Sequence, residues 1–209
     1  MRLVLLASLL MGSLLSAGEF PAPAVDPPAA NHTATAVFAG GCFWGVEAVF
    51  ERLNGVTNAV SGYSGGAAYT AHYEVVGSGI TGHAESVQVT YDPSKISYGK
   101  LLEVFFAVAH DPTQLNRQGP DRGTQYRSAI FYSDPEQKQI AEAYIHQLDA
   151  AKIFPGPIVT KVVPLNGFYT AEDYHQHYFD HNPSNPYIVY NDAPKVKHLQ
   201  EQFPQLLKH

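Results

Sequence analysis

The chain has 209 residues, of which 45% are hydrophobic and 15% are charged. That is enough apolar side chain to bury one substantial core, so the composition excludes a disordered or fibrous protein. The 13 Lys and Arg residues against 19 Asp and Glu residues provide no basic field for nucleic acid. The single Cys excludes an intramolecular disulfide and an all-cysteine zinc site within these residues.

The first residues predict an export signal. A short basic start precedes an apolar run from Leu3 to Leu15 that is too short to span a bilayer, and small residues suited to a signal peptidase follow it. We therefore expect a signal peptide over 1–17 and a periplasmic or secreted protein, with an uncleaved membrane anchor as the alternative. The Pro- and Ala-rich stretch 18–33 is typical of a stiff, unfolded spacer, and the folded domain is expected over 34–209.

The first part of the domain predicts three strands and one helix. The apolar run 34–39 is typical of a strand buried on both faces, and the turn Gly40-Gly41 leads into a helix with an apolar repeat from Val46 to Leu53. Residues 56–63 predict a second strand. The strict alternation over 84–91 predicts a third strand that is half buried.

The second part predicts further helices and strands. Ser97 is expected to cap an apolar helix that ends near Ala109, and Asp134 a helix that ends near Lys152. The resulting order β-α-β-β-α-β predicts an α+β fold, a ferredoxin-like split βαβ two-layer sandwich with a C-terminal extension. The other expected elements are strands at 128–132 and 158–163 and a short helix from about Thr170 to Phe179.

Cys42 is the candidate nucleophile. It follows the glycine turn at the start of the first helix, where unpaired backbone N–H groups and the positive end of the helix dipole favour a thiolate. Strand-turn-helix junctions of this kind present nucleophiles in hydrolases and oxidoreductases. The alternative is an inert core cysteine, because Cys42 shares a helical stripe with Val46 and Val49.

Glu85 is the candidate general acid. It has the same parity in its strand as Val87 and Val89, so its carboxyl group should point into the protein, where desolvation favours the protonated form. If the strand begins one residue later, Glu85 is instead a solvated strand end.

Other motifs predict no cofactor. The stretch Gly77–Gly82 matches G-x-G-x-x-G, but a strand follows it instead of the helix that a nucleotide site needs. The glycines between Gly62 and Gly82 indicate a backbone that bends closely around another group. The loop 111–127 is long and rich in hydrogen-bonding groups, which is typical of a functional loop, with a solvated surface loop as the alternative. The set His175, His177 and His181 fits an aromatic-rich helix face better than a metal site, because these positions point to different sides of a helix.

Several segments in order resemble the A-type peptide methionine sulfoxide reductases. They are GCFWG at 41–45, GHAE at 82–85, NRQG at 116–119 and DRGTQYRS at 121–128. The resemblance extends from about Val37 to Tyr178. It implies reduction of the S epimer of methionine sulfoxide, free or in proteins, and hence a repair function after oxidative stress.

The resemblance also implies a role for each of several residues. Cys42 would attack the sulfoxide sulfur and Glu85 would protonate its oxygen, leaving methionine and a sulfenic acid on Cys42. Phe43 and Trp44 would receive the S-methyl group of the substrate. Three further residues would bind substrate: Tyr73 and Tyr126 through the sulfoxide oxygen, and Asp121 by orienting the substrate backbone or neighbouring groups.

The chain departs from many members of this family in one respect. They carry further cysteines near the C-terminus that resolve the sulfenic acid, whereas residues 191–209 contain none. We therefore expect an external reductant to attack Cys42 directly, either a small thiol or a thioredoxin- or glutaredoxin-like protein. The expected substrate is methionine sulfoxide in peptides and proteins. The expected enzyme is a monomer without metal, cofactor or nucleic-acid partner.

Two other functions fit parts of the sequence. One is a cysteine-dependent hydrolase or acyltransferase in which His83 or His175 activates Cys42. The other is a non-catalytic binding module that recognises exposed side chains through its glycine-rich loop and aromatic surface.

Overall fold

The computed structural model describes residues 20–28 and 33–208, so the predicted signal peptide at 1–17 lies outside the described residues. Among those described, no helix is long and apolar enough to cross a membrane. The strands are β1 (Ala34–Gly40), β2 (Val56–Ser64), β3 (Ala84–Tyr91), β4 (Arg117–Gln118), β5 (Asp121–Arg122), β6 (Ser128–Tyr132), β7 (Lys161–Pro164) and β8 (Phe168–Thr170). The α-helices are α1 (Phe43–Glu51), α2 (Tyr73–Val76), α3 (Tyr98–Val104), α4 (Pro135–Ala150), α5 (Tyr178–His181) and α6 (Ala193–Gln202).

A central sheet has the strand order β7-β6-β1-β3-β2-β8, and β4 with β5 forms a separate small hairpin. Neighbouring strands of the sheet are antiparallel except β6 and β7, which are parallel and joined through α4 as a crossover requires. The mixed helix-and-strand class is therefore confirmed. The finer description as a ferredoxin-like sandwich stays a prediction, since β7 and β8 extend the sheet at both edges.

β1 lies inside the sheet and carries apolar side chains on both faces. The Phe38 ring packs between Phe50 and Phe105, with centroid distances of 5.1 and 5.0 Å. Val37 and Ala39 belong to a second apolar cluster on the opposite face. The prediction of a strand buried on both faces is confirmed. Its burial fixes the point from which the chain turns into α1.

β3 alternates in burial only in its second half, and the prediction of a half-buried strand is wrong for its first half, where Ser86 is buried together with Glu85. Val87 and Val89 are fully buried, whereas Thr90 is only half-buried. Glu85 lies opposite Tyr63 of β2 and is 4% exposed. Glu85 is therefore an inward-facing residue of the strand, and the alternative of a solvated strand end is wrong.

The predicted capping residues of α3 and α4 are confirmed. The Ser97 hydroxyl oxygen accepts from the backbone N–H of Lys100 at 3.1 Å, and a carboxylate oxygen of Asp134 accepts from that of Gln137 at 2.9 Å. The α-helical part of the helix that Ser97 caps is shorter than expected, because its last turn, 105–109, is a π-helix.

One predicted strand begins later than expected. The strand expected from Ile158 starts at Lys161, because the backbone N–H of Val159 donates to the carbonyl of Pro112 in a loop instead of to a strand. Only the last residues of the apolar run 158–163 therefore belong to β7.

Residues 20–28 pack on the domain, and the prediction of an unfolded spacer is wrong for this segment. The Tyr144 hydroxyl donates to the carbonyl oxygen of Pro21 at 2.6 Å, and Gln147 on the next turn of α4 bonds to neighbouring main-chain groups. Asp26 accepts hydrogen bonds at the start of α3. Proline lacks an N–H donor, but its carbonyl oxygen remains a good acceptor, which lets α4 hold this segment.

The glycine-rich stretch between β2 and β3 bends around Arg127. Gly65 has a φ of 99°, and a Cβ there would lie 2.7 Å from Nη2 of Arg127. The guanidinium donates from Nη2 to the Gly82 carbonyl at 2.9 Å and from Nη1 to the His83 carbonyl at 3.0 Å. The predicted close bend is therefore present, and the loop 111–127 supplies the group that it surrounds.

The C-terminal extension differs from the single short helix that was expected between Thr170 and Phe179. Thr170 ends β8, and a single 3₁₀ turn follows at Asp173–His175. His177 then adopts a left-handed conformation with φ of 53°, which interrupts the helix before α5 begins.

Candidate active site

A glycine turn places Cys42 at the start of α1. Gly41 has a φ of 91°, and the side chain of Gln118 fills the space in which a Cβ of residue 41 would lie. Both the conformation and the close approach require glycine at this position. Cys42 is the residue that precedes the first helical turn.

Burial of the sulfur outweighs the helix dipole, so the prediction of a resting thiolate is wrong. Cys42 is 7% exposed, and burial raises the pKa of its thiol well above the ordinary value of 9.0. The charges of Glu85 and Asp192 raise this pKa further. The backbone N–H of Trp44 and the ammonium of Lys195 lower it by less. The thiol is therefore protonated at neutral pH.

The carboxyl group of Glu85 lines the same site as the thiol and also carries a proton. Its Oε2 accepts a hydrogen bond from the backbone N–H of Phe43 at 3.1 Å. Burial raises the pKa of Glu85 to about 8, and this hydrogen bond opposes the shift only in part. The carboxyl group is therefore mainly protonated at neutral pH, which is the state that a general acid needs.

Phe43 and Trp44 form an apolar wall at the first turn of α1. Phe43 is fully buried. The Trp44 indole stacks on Tyr178 with ring centroids 3.8 Å apart, and its Nε1 donates to Nδ1 of His175 at 3.1 Å. Burial lowers the pKa of His175, so its ring stays neutral and can accept this bond. These contacts fix the orientation of the indole.

A cavity of about 190 Å³ brings the predicted residues together. Its lining combines a thiol, two carboxyl groups, three phenols and two further aromatic rings. All seven residues that the sequence singled out are present: Cys42, Phe43, Trp44, Tyr73, Glu85, Asp121 and Tyr126. We call this the first cavity.

Tyr187 lines the first cavity as well, and the sequence did not predict it. Its hydroxyl donates a short hydrogen bond to Oδ2 of Asp121, so the phenol holds the carboxylate of a residue that lines the same cavity. Tyr187 lies beyond the segments that carry the family resemblance. A tyrosine in a segment without a motif offers no signal of such a role.

The histidines do not activate Cys42. Nδ1 of His83 accepts from the backbone N–H of Gly66 at 3.2 Å, and its Nε2 lies 3.0 Å from the carbonyl oxygen of Ala67. His175 accepts from Trp44, as described above. Neither ring lines the first cavity, so the cysteine-histidine pair required by the hydrolase alternative is not formed in the described residues.

Glu47, Glu51 and His177 are the described residues whose ligand atoms lie close enough to hold a metal ion, within 4.8 Å of one another. Nδ1 of His177 and Oε1 of Glu51 already pair at 2.5 Å. Oε2 of Glu47 accepts from the Ser61 hydroxyl and from the backbone N–H of His177, both at 3.1 Å. Most of the ligand atoms of these three residues are therefore already used in hydrogen bonds within the protein. None of the three residues lines the first cavity.

Comparison with known proteins identifies relatives along most of the chain. The sequence profile of the peptide methionine sulfoxide reductase family matches residues 34–207. The chain is 61% identical to peptide methionine sulfoxide reductase MsrA 2 of Mesorhizobium japonicum over 182 residues, which is 87% of this chain and 93% of that protein. It is 49% identical to MsrA 2 of Synechocystis over 211 residues, 95% of this chain and 99% of that protein.

Solved structures of the same class share the fold. The crystal structure of reduced Mxr1 from Saccharomyces cerevisiae matches with a TM-score of 0.66 and 32% identity, covering 78% of this chain and 92% of that chain. Methionine sulfoxide reductase A of Corynebacterium diphtheriae matches with a TM-score of 0.66 and 38% identity, covering 76% of this chain and 79% of that chain. The chain therefore belongs to the peptide methionine sulfoxide reductase family and is an oxidoreductase of the peptide-methionine (S)-S-oxide reductase class.

Proposed function

We propose that the chain reduces the S epimer of methionine sulfoxide, free or in proteins, through a sulfenic acid on Cys42 with Glu85 as the proton donor. The observation that carries this proposal is the first cavity, in which a thiol and a protonated carboxyl group share one small space with apolar rings. A sulfoxide needs all three: a nucleophile for its sulfur, a proton for its oxygen and an apolar surface for its methyl group.

The chemical step balances without any further reagent. Cys42 sulfur attacks the sulfoxide sulfur and forms an S–S bond while Glu85 protonates the oxygen, which is a poor leaving group until it carries a proton. The hydroxyl group then moves from the substrate sulfur to the Cys42 sulfur as the S–S bond breaks, which releases methionine. The substrate sulfur gains two electrons, the Cys42 sulfur loses two, and the oxygen passes to Cys42 as a sulfenic acid. The thiol proton replaces the one that Glu85 gives, so the number of bound protons does not change.

The protons of Cys42 and Glu85 are coupled. The Glu85 carboxylate is one of the charges that raise the pKa of Cys42. When Glu85 holds its proton that charge is absent, so the thiol ionises more readily beside a neutral acid. The thiol therefore ionises most readily before Glu85 gives up its own proton.

Tyr73 and Tyr126 are suited to hold the sulfoxide oxygen. Burial raises the pKa of Tyr73 to about 12, and burial raises that of Tyr126 as well. Both phenols therefore keep their protons across the physiological range and can donate to an oxygen that becomes more basic during the reaction.

The test is reduction of a methionine sulfoxide peptide with dithiothreitol as reductant. The wild type should convert the S epimer and leave the R epimer, and Cys42→Ser should convert neither. Equal conversion by the wild type and Cys42→Ser would reject the proposal. One equivalent of substrate given without reductant should release one methionine and leave Cys42 reactive toward dimedone.

A further inference from the structure

Cys42 also lines a second cavity. It has a volume of about 140 Å³ and shares only Cys42 and Tyr187 with the first cavity. Tyr187 therefore borders both spaces, and its hydroxyl is held by the hydrogen bond to Asp121. The remaining lining residues are Gln118, Gly119, Pro120, Asn191 and Lys195.

The two cavities differ in charge. The first is lined by the acidic residues Glu85 and Asp121, whereas the second is lined by the basic residue Lys195 and by no acidic residue. The Lys195 side chain is 17% exposed and pairs with Oδ1 of Asp192 at 3.1 Å. Asp192 is itself fully buried, so in this pair only the cation faces the second cavity.

This ion pair is packed against the first turn of α1. A Cβ at Gly45 would lie 2.9 Å from Nζ of Lys195, and the Asp192 carboxylate would overlap it. Both charges therefore act at close range on the helix start that carries Cys42. At the sulfur itself Asp192 raises the pKa of Cys42 more than Lys195 lowers it, so the attraction for an anion lies within the second cavity, which Lys195 lines and Asp192 does not.

We propose that the second cavity is the entry site for the external thiolate that reduces the Cys42 sulfenic acid, and that Lys195 attracts it. The inference rests on the proposed function, because it concerns the second half of the same reaction. The thiolate is the reactive form of the reductant and is an anion, which suits the cationic cavity better than the acidic one.

The stereochemistry of displacement supports two separate entries. In the sulfenic acid the hydroxyl group comes from the sulfoxide oxygen, which the proposed function places beside Glu85 in the first cavity. A thiolate that displaces this group in line has to approach from the far side of the sulfur, and a second cavity that shares only Cys42 and Tyr187 with the first offers a separate approach. Methionine leaving the first cavity would not obstruct it.

The recycling steps also balance. The thiolate forms a disulfide bond with Cys42 as the S–OH bond breaks, and a proton from Glu85 converts the departing hydroxide to water. A second thiolate then attacks the mixed disulfide, which forms the oxidised reductant and restores Cys42. Two external thiols are oxidised for each sulfoxide that is reduced.

The experiment measures how fast the sulfenic acid reacts with three thiols of matched size and different charge. These are mercaptoethanesulfonate, mercaptoethanol and cysteamine, whose tails are anionic, neutral and cationic. The chain contains one Cys, so every adduct seen by mass spectrometry reports on Cys42. The ratio of the anionic to the cationic rate is compared between variants, so that the intrinsic reactivity of each thiol cancels.

We expect this ratio to fall about fivefold in Lys195→Met, a change that corresponds to about 1 kcal/mol, and to fall further in Lys195→Glu. Lys195→Arg should keep the wild-type ratio, because the positive charge is kept. Removing Lys195 alone leaves Asp192 buried without its partner, so the double variant Asp192→Asn/Lys195→Met is measured as well and should also show the lowered ratio.

Lys197→Met is the matched control. Lys197 lies on the same helix and is 75% exposed, where it pairs with Glu201 at 3.7 Å. Its loss should leave the ratio unchanged. An unchanged ratio in the folded Lys195 variants, or an equal fall in Lys197→Met, would overturn the proposal.

The outcome can be separated from failure of the proposed function. The sulfenic acid is formed in one arm by one equivalent of methionine sulfoxide and in the other by hydrogen peroxide, which oxidises Cys42 without the reductase step. If the first arm gives no sulfenic acid, the proposed function fails. The peroxide arm still tests the entry of the thiol.

Discussion

The backbone N–H of Phe43 donates to Oε2 of Glu85 at 3.1 Å. This bond joins the acid on β3 to the first turn of the helix that follows Cys42, so the spacing of thiol and acid depends on rigid elements and not on a loop. The next amide of the helix, that of Trp44, is the one that lowers the pKa of Cys42. Successive N–H groups of the first turn of α1 therefore act on the acid and on the thiol.

We expect Glu85→Gln to slow the first turnover by about 10²- to 10⁴-fold, since an amide can accept the Phe43 hydrogen bond but cannot give a proton to the sulfoxide oxygen. The measurement is methionine released in a single turnover. Glu47→Gln is the matched control, because Glu47 is an equally buried glutamate outside the first cavity and should keep the wild-type rate. Equal rates for Glu85→Gln and the wild type would exclude Glu85 as the acid.

The buried acid also makes stability depend on pH. The pKa of Glu85 is about 8 in the folded protein against an ordinary value of 4.5, so the folded state binds the extra proton between these values. Relative to Glu85→Gln, the wild type should therefore lose about 3 kcal/mol of unfolding free energy as the pH rises from about 5 to about 8. Urea unfolding of both proteins at each pH measures this. A constant difference would mean that Glu85 titrates normally.

Much of the site could be predicted because it is carried by local signals. The alternation of β3 predicts that Glu85 faces inward, and the glycine turn predicts that Cys42 lies at the helix start. Each of these signals spans fewer than ten residues of the chain. The protonation of Cys42 could not be predicted, since it depends chiefly on burial by segments that are distant in the sequence.

The position of Tyr187 could not be predicted from the sequence either. It reaches the cavity only because the C-terminal segment packs against α1, and no spacing in the sequence encodes that long-range contact. The packing of residues 20–28 on α4 was missed for a similar reason. Proline-rich composition indicates local stiffness, but it does not show whether the free carbonyl groups find a partner.

We expect Tyr178→Ala to raise the KM for a sulfoxide peptide about three- to tenfold, because it removes the ring that stacks on Trp44 at 3.8 Å and frees the indole to rotate. Steady-state kinetics at saturating reductant measure this. Tyr178→Phe keeps the ring and loses only the hydroxyl that Asn185 contacts at 3.2 Å, so its KM should stay near the wild-type value. If both variants raise KM alike, the stack is not what orients Trp44.

Arg127→Lys should loosen the turn that leads into β3. Arg127 donates to the carbonyl oxygens of Gly82, His83 and Thr124 through a planar fork, which a single ammonium group cannot reproduce. We expect a loss of about 2 kcal/mol in the free energy of unfolding and faster hydrogen exchange at the first amides of β3.

The control for this change is Arg122→Lys, at an exposed position of β5. It should leave both the unfolding free energy and the exchange rates unchanged. Because Gly82 and His83 precede Glu85 by only a few residues, a looser turn should also lower the rate of the chemical step in Arg127→Lys. If Arg127→Lys keeps the wild-type hydrogen-exchange rates at β3 and the wild-type turnover rate, the guanidinium does not position Glu85. The pairing of β3 with β1 and β2 would then be sufficient to hold the acid in place.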